Sequence, residues 1–167
     1  MKAAAKFQET QRFRQTWLLA LMFVPVLIFI WGFIQQIILG QPFGTQPMSD
    51  KSLIGGLLCF IFFYYWFVFI LRLEVGVDEF GIHYQFKGIH WKQYHLKWEE
   101  IESAQAITYK PLLDYGGWGI RYGFHGKAYS VSGKQGIQIR TKGGAQILFG
   151  TLLSEDFFST LRLYCKK

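Results

Sequence analysis

The side chains best suited to chemistry in this chain are four histidines, three closely spaced carboxylates, two serines and a glycine-rich run. His83, His90, His95 and His125 are of the right type to hold a metal ion, but none is joined to a cysteine or carboxylate at a recurrent ligand spacing. Ordinary surface or half-buried histidines are expected instead. Glu99, Glu100 and Glu102 offer carboxylates for acid–base work. Adjacent side chains of an extended chain point to opposite faces, which leaves only Glu100 and Glu102 on one side and favours a solvated turn after Trp98. Ser130 and Ser132 lack the G-x-S-x-G elbow and a base partner. Gly116, Gly117, Gly119 and Gly123 satisfy neither the dinucleotide fingerprint nor the phosphate-loop spacing, and no helix follows them to receive a phosphate. Cys59 and Cys165 form neither a disulfide framework nor a zinc pattern and suit a reducing compartment. No catalytic residue, cofactor or metal ion is expected, and the chain does not read as an enzyme.

Binding is what remains. The stretch from Lys110 to Gly126 reads as one long glycine-rich loop, and loops of this length in compact domains are uncommon and often carry recognition. Asp114, Trp118, Arg121, Tyr122 and Lys127 are the candidate partner- or lipid-binding residues. Asp114 is placed to pair with Arg121. Trp118, Ile120 and Tyr122 alternate as in a short strand, which would lengthen a sheet or lean on a bilayer surface, where aromatic rings with a polar edge are favoured.

Those residues must be positioned by a chain of uneven composition. Apolar residues make up 51% of its 167 positions, yet charge is absent from two long stretches. Trp17 to Ile34 is 18 residues without a charged or strongly polar group, followed by Gln35, Gln36 and a last apolar turn to Leu39. At 1.5 Å per residue the uncharged part alone spans roughly 27 Å, close to the ~30 Å of a hydrocarbon core. Leu53 to Leu71 adds 19 uncharged residues with an aromatic centre from Phe60 to Phe69. A cleaved signal peptide is a poorer account of the first stretch, whose apolar part is too long and lacks a small-x-small site. A buried core helix is a poorer account of the second, because the remaining chain cannot wrap a helix that is apolar on every side.

The turn-rich link Gly40 to Ser52 makes these helices an antiparallel hairpin. Three parts follow: a basic tail over 1–16, a transmembrane hairpin over 17–71 with helices at 17–39 and 53–71, and a domain over 72–167. Lys2, Lys6, Arg12 and Arg14 before the first helix, with Arg72 after the second, assign both termini to the cytoplasmic side of the inner membrane. The net charge of +7 calls for an anionic neighbour. From Arg72 onward, however, 13 basic residues face 9 acidic ones, a mixed surface that argues against nucleic acid and leaves the inner leaflet.

After Arg72 the pattern alternates, with turn residues at short intervals, as in an antiparallel β domain. Seven strands are expected, near Leu73 to Val77, Ile82 to Phe86, Lys92 to Trp98, Ile101 to Tyr109, Lys127 to Ser132, Gln135 to Thr141 and Ala145 to Gly150. A helix closes the chain: Ser154 is placed to cap it, Glu155 and Asp156 suit its positive end, and Phe157, Phe158, Leu161 and Tyr164 make one apolar stripe.

Seven strands and a capping helix is the order of a pleckstrin-homology-like (PH-like) barrel. The run Pro111-Leu-Leu-Asp-Tyr-Gly-Gly-Trp-Gly-Ile-Arg-Tyr-Gly123, with Gly126-Lys-Ala-Tyr-Ser-Val-Ser-Gly133 and Gly136-Ile-Gln-Ile139, resembles a group of uncharacterised bacterial two-helix membrane proteins with PH-like domains. The resemblance covers Leu73 to Cys165 and implies a fold and an inner-membrane setting, but no activity. One departure concerns lipid headgroups. PH domains that hold phosphoinositides generally use basic residues around the first strand-to-strand turn, where this chain has Asp78 and Glu79. The expected function is therefore a membrane-anchored interaction module that binds a protein or lipid partner or associates with itself. The alternative is an accessory subunit of a membrane enzyme or transport complex that works through its helices.

Overall fold

A computed structural model describes residues 7–123 and 126–165. Its described residues fall into two compact units, one of Phe13–Ile70 and one made from the segments on either side.

The first unit is a helical hairpin. Helix α1 (Thr16–Phe33) runs on through a π turn to Ile38, and α2 (Asp50–Tyr65) through another to Ile70. Thr16–Ile38 and Asp50–Ile70, 23 and 21 residues, are long and apolar enough to cross a membrane. Helix α2 starts before the expected Leu53 because Ser49 caps it, its Oγ accepting from the Ser52 N–H at 3.2 Å, while the Asp50 carboxylate sits at the positive helix end. Rings interlock in antiparallel order, Phe29 on Phe60 at 4.9 Å, Phe23 on Tyr64 at 5.1 Å and Phe13 on Phe67 at 5.0 Å. Gln36 closes the far end, donating to Asp50 Oδ1 at 2.6 Å and to the Met48 carbonyl at 2.8 Å. The two glycines of α2 differ in role. A side chain at Gly56 would run into the Phe29 ring at 2.3 Å, whereas Gly55 has nothing within 4 Å.

The second unit is β-rich. One sheet holds β1 (Phe7–Arg12), β2 (Arg72–Asp78), β3 (Gly81–Lys87) and β4 (Tyr94–Lys97) in that order, all antiparallel. A short 3₁₀ turn, Trp98–Glu100, leads into the other sheet. That sheet holds β5 (Ile101–Thr108), β6 (Gly119–Gly123), β7 (Gly126–Ser130), β8 (Gln135–Thr141) and β9 (Gln146–Gly150) in the order β5-β8-β9-β7-β6, with β7 and β9 parallel. A one-turn helix α3 (Pro111–Tyr115) precedes β6, and α4 (Ser154–Cys165) covers the end of the chain. Leu73, Val77, Ile82 and Phe86 of the first sheet and Ile137, Ile139, Leu148 and Phe149 of the second are fully buried, as is Phe157 of α4.

The seven expected strands are present, but the arrangement differs from expectation in three ways. First, among the described residues there are two hydrogen-bonded sheets and no closed barrel. Side chains make the junction between the edge strand β1 and the end of β9: Gln11 Nε2 donates to the Gly150 carbonyl at 2.7 Å, and the Glu9 carboxylate accepts from Thr151 Oγ1 and, at 3.0 Å, from the Leu152 N–H. Second, residues 7–12, read as part of a tail, form strand β1, whose Phe7 stacks on Phe157 at 4.7 Å. The helical hairpin is thus inserted between two paired strands. Third, the Asp78–Gly81 turn lies between the second and third strands, not the first and second, so its charge says nothing about the first connection. Asp78 Oδ1 is occupied there, accepting from the Phe80 and Gly81 N–H groups at 2.8 and 3.1 Å.

Two outcomes follow from this packing. Glu9→Ala strips the buried Thr151 hydroxyl and the part-buried Leu152 N–H of their acceptor and should destabilise the β-rich unit by about 2 kcal/mol, read from tryptophan-monitored unfolding of the full chain in detergent. Gly56→Val should loosen the hairpin by roughly 1–3 kcal/mol in a denaturing-detergent titration, and Gly55→Val should leave it unchanged.

Candidate functional site

The described part of the Lys110–Gly126 segment, residues 110–123, is structured. Pro111 sits at the start of α3, the Asp114 carboxylate accepts from the Lys110 N–H at 2.7 Å, and Gly116 ends the helix at φ +70°, where only glycine is free of strain. Gly117 N–H then donates to the Pro111 carbonyl at 2.8 Å. The alternation of Trp118, Ile120 and Tyr122 does mark a strand, β6, the outer edge of the second sheet. Gly123 lets α3 lie against β6, since a Cβ there would collide with the Asp114 carbonyl at 2.3 Å.

The five predicted residues separate into two groups. Asp114, Trp118 and Arg121 hold the segment together. Trp118 Nε1 donates to the Gly133 carbonyl at 3.1 Å, and Arg121 Nε turns back to the Trp118 carbonyl at 3.1 Å instead of pairing with Asp114. Tyr122 and Lys127 are register partners across the β6–β7 ladder and converge on something larger. Lys127 Nζ lies 5.3 Å from the centre of the Tyr122 ring and 4.9 Å from that of Tyr129, which are cation–π distances. Tyr129 is buried; its ring meets Tyr84 at 4.8 Å and His90 at 5.8 Å, and both Tyr84 and His90 touch Tyr94. Burial raises the Tyr84 and Tyr129 hydroxyls above the usual phenol range, so both stay neutral.

His90 is the hinge of this aromatic cluster. Its Nδ1 accepts from the Phe86 N–H at 3.2 Å, its carbonyl accepts from Gln85 Nε2 at 3.0 Å, and its own N–H donates to the Phe86 carbonyl at 2.8 Å. These bonds fold the β3–β4 turn, residues 88–93, so that His90 points inward while Ile89 and Trp91 point out. Trp91 is 99% exposed. Burial, reinforced by the positive charge of Lys127, holds the His90 pKa below the ordinary histidine value. The sequence reading passed over this turn. Its signal was present as Gly88-Ile-His-Trp-Lys-Gln-Tyr94, a tight turn dense in aromatic and basic residues.

Among the described residues the other histidines do not gather into a metal site. His83 faces His95 across the β3–β4 ladder at 5.4 Å and lies 3.4 Å from Asp78 Oδ2; burial lowers its pKa, Asp78 opposes the shift and His95 adds to it. His125 lies outside the described residues. Among those described, no three histidine, cysteine or acidic side chains are grouped to hold a metal ion. Glu100 bonds back to the Lys97 N–H at 2.9 Å and Glu102 pairs with Arg140 at 3.4 Å, so these carboxylates serve the turn and the sheet.

No protein-family model and no curated protein matches this chain. Function must therefore be argued from its surfaces.

Besides the aromatic cluster, one recess stands out. A groove of about 860 Å³ runs between β5 and α4, floored by Trp98, Ile101, Ala104, Phe158, Leu161 and Tyr164 and edged by charges of both signs. Trp98 and Tyr164 stack at 5.1 Å at one end. Strand β5 is the free edge of its sheet on this side.

The His90 geometry sets a pH dependence. With its folded-state pKa below 6.5, the unfolded chain takes up the proton first as pH falls. His90 thus contributes stability in full above about pH 6.5, and this is lost as pH falls through the lowered value. His83, lowered as well, contributes in the same sense. His90→Asn keeps an acceptor for the Phe86 N–H but does not titrate. Unfolding followed from pH 8 to 5 should show a shallower loss of stability in this variant, and an unchanged slope would exclude His90 as a source.

Proposed function

We propose that this protein is a membrane-anchored, non-enzymatic interaction module. Its two apolar helices span the inner membrane with both termini in the cytoplasm, and its β-rich unit, PH-like in strand order and helical cap, takes an extended segment of a protein partner. The anchor is supported by the helices themselves, which carry large uncovered apolar side chains such as Leu21, Trp31, Leu58 and Phe62. The orientation is supported by Arg12, Arg14 and Arg72 at the helix ends.

The observation that carries the binding role is the free edge of β5. It is eight residues long, its apolar Ile101 and Ile107 are buried or half-buried, and its exposed side chains include Ser103, Gln105 and Ala106. An unpaired edge offers backbone N–H and C=O groups as a template for one more strand, and natural sheets usually shorten, charge or cover such edges. The neighbouring groove supplies apolar pockets for alternate side chains of the incoming segment. Holding the module beside the bilayer raises its effective concentration for other membrane-bound proteins, so a modest intrinsic affinity suffices.

A photo-crosslinking residue introduced at Ala106 should capture a protein in native membranes, and the same product should form when residues 16–70 are exchanged for an unrelated two-helix anchor. Loss of the crosslink on that exchange would move the essential contacts to the helices and favour an accessory subunit of a membrane complex.

A further inference from the structure

The register of the first sheet fixes which of its ends is attached to the helices. Arg12, the last residue of β1 before the hairpin, is the partner of Arg72, the first residue of β2 after it, and Arg72 is in turn the partner of Lys87, the last residue of β3. Both connections to the helices therefore leave the sheet at the row Arg12–Arg72–Lys87, and the β3–β4 turn continues directly from that row. The helix α4 belongs to the other end, where Phe7, the partner of Val77, stacks on Phe157.

At the helix-attached end the chain presents a combination suited to one kind of surface. Trp91 is 99% exposed and Ile89 47%, and Lys92 follows Trp91 directly. The exposure is built in, since the His90 bonds to Phe86 and Gln85 lock the turn with these two side chains outward. Tyr122, 77% exposed, and Lys127 belong to the same neighbourhood through the Tyr129–His90 contact. Glu74 bridges Arg72 and Lys87 at 2.8 and 3.0 Å, ordering the two cations while neutralising only one charge. An indole beside lysines and an aliphatic side chain is the composition that settles at the level of lipid headgroups, with the rings at the acyl boundary and the ammonium groups on anionic phosphates.

We propose that the β3–β4 turn is a lipid-docking element, in which Trp91 and Ile89 enter the interface of an acidic leaflet while Lys87 and Lys92 contact its phosphates. This rests on the helices spanning a bilayer, and it adds a third point of attachment to the two covalent ones. The turn is not a headgroup pocket; it recognises a negatively charged surface through shallow insertion and charge.

The test uses the full chain in nanodiscs with a single environment-sensitive bimane label at one of three places: the native Cys59 in the middle of α2, Ile89→Cys in the turn, or Phe80→Cys in the β2–β3 turn at the other end of the sheet. The first is made in a Cys165→Ser background and the last two in a Cys59→Ser, Cys165→Ser background. In discs containing phosphatidylglycerol, aqueous iodide should quench position 80 freely and leave positions 59 and 89 protected. Discs of phosphatidylcholine alone should expose position 89, as should Trp91→Ser, and Lys87→Gln with Lys92→Gln should lower its docking equilibrium constant roughly fivefold per lysine. Protection at 59 with free quenching at 89 would overturn the docking element and leave the anchor standing. Quenching at 59 would overturn the anchor and the docking element together. Protection at 89 that survives both the neutral lipid and Trp91→Ser would assign it to protein packing and overturn the proposal.

Discussion

Pairing of β1 with β2 is the constraint on which the rest of this structure depends. Six register pairs, from Phe7↔Val77 to Arg12↔Arg72, join segments separated in the chain by the whole helical hairpin. For a flexible loop of that length, closure alone would cost on the order of 4 kcal/mol. The hairpin removes most of that cost, because antiparallel helices locked by Phe29 on Phe60 and Phe13 on Phe67 already return the chain close to where it left. In turn, β1 has no local reason to be a strand. It is held by Phe7 on Phe157 and by the Glu9 and Gln11 bonds to the end of β9, all of which exist only once the β-rich unit has formed. Closing the hairpin therefore lowers the entropy cost of forming the β1–β2 ladder.

That dependence also explains which parts of the fold could be read in advance. The helices were legible because continuous apolar runs need no tertiary context, and their starts moved only where Ser49 supplied a cap that the hydropathy pattern does not register. The seven later strands were legible because their inward positions are apolar. Strand β1 was not, because its inward face is Phe7, Glu9 and Gln11, two of them polar and satisfied by partners about 140 positions away in the sequence. Strand β6 showed the right alternation but was framed by glycines, and glycines read as loop. Sheet pairing was beyond reach altogether: no local signal makes β7 run parallel to β9, or sets two sheets where strand order alone suggested one barrel.

The candidate site was legible in kind rather than in detail. Aromatic and charged residues between Asp114 and Lys127 did mark a notable segment, but residue type does not reveal which side chains are consumed by the backbone. Asp114, Trp118 and Arg121 each bond to a main-chain partner within the segment or to Gly133, whereas Tyr122 and Lys127 meet each other through their side chains. His90 is half-buried, within the expectation of a surface or half-buried histidine, but residue type does not reveal that its ring is an acceptor for a strand N–H and a spacer between Tyr94 and Tyr129.

The division of labour within the β-rich unit follows from where its unpaired groups lie. The row Arg12–Arg72–Lys87 joins three strands in register, and what it offers there is side-chain charge and, through the 88–93 turn, an exposed ring. Along β5 the exposed side chains are small or polar, and among the described residues the unpaired groups belong to the backbone. Charge and rings suit a fluid, disordered surface that cannot supply hydrogen bonds in register, while a free strand edge suits a partner that can. A lipid leaflet fits the first description and an extended polypeptide the second. Because α4 and Phe157 sit at the end of the first sheet away from that row, the groove beside β5 and the 88–93 turn share no lining side chain.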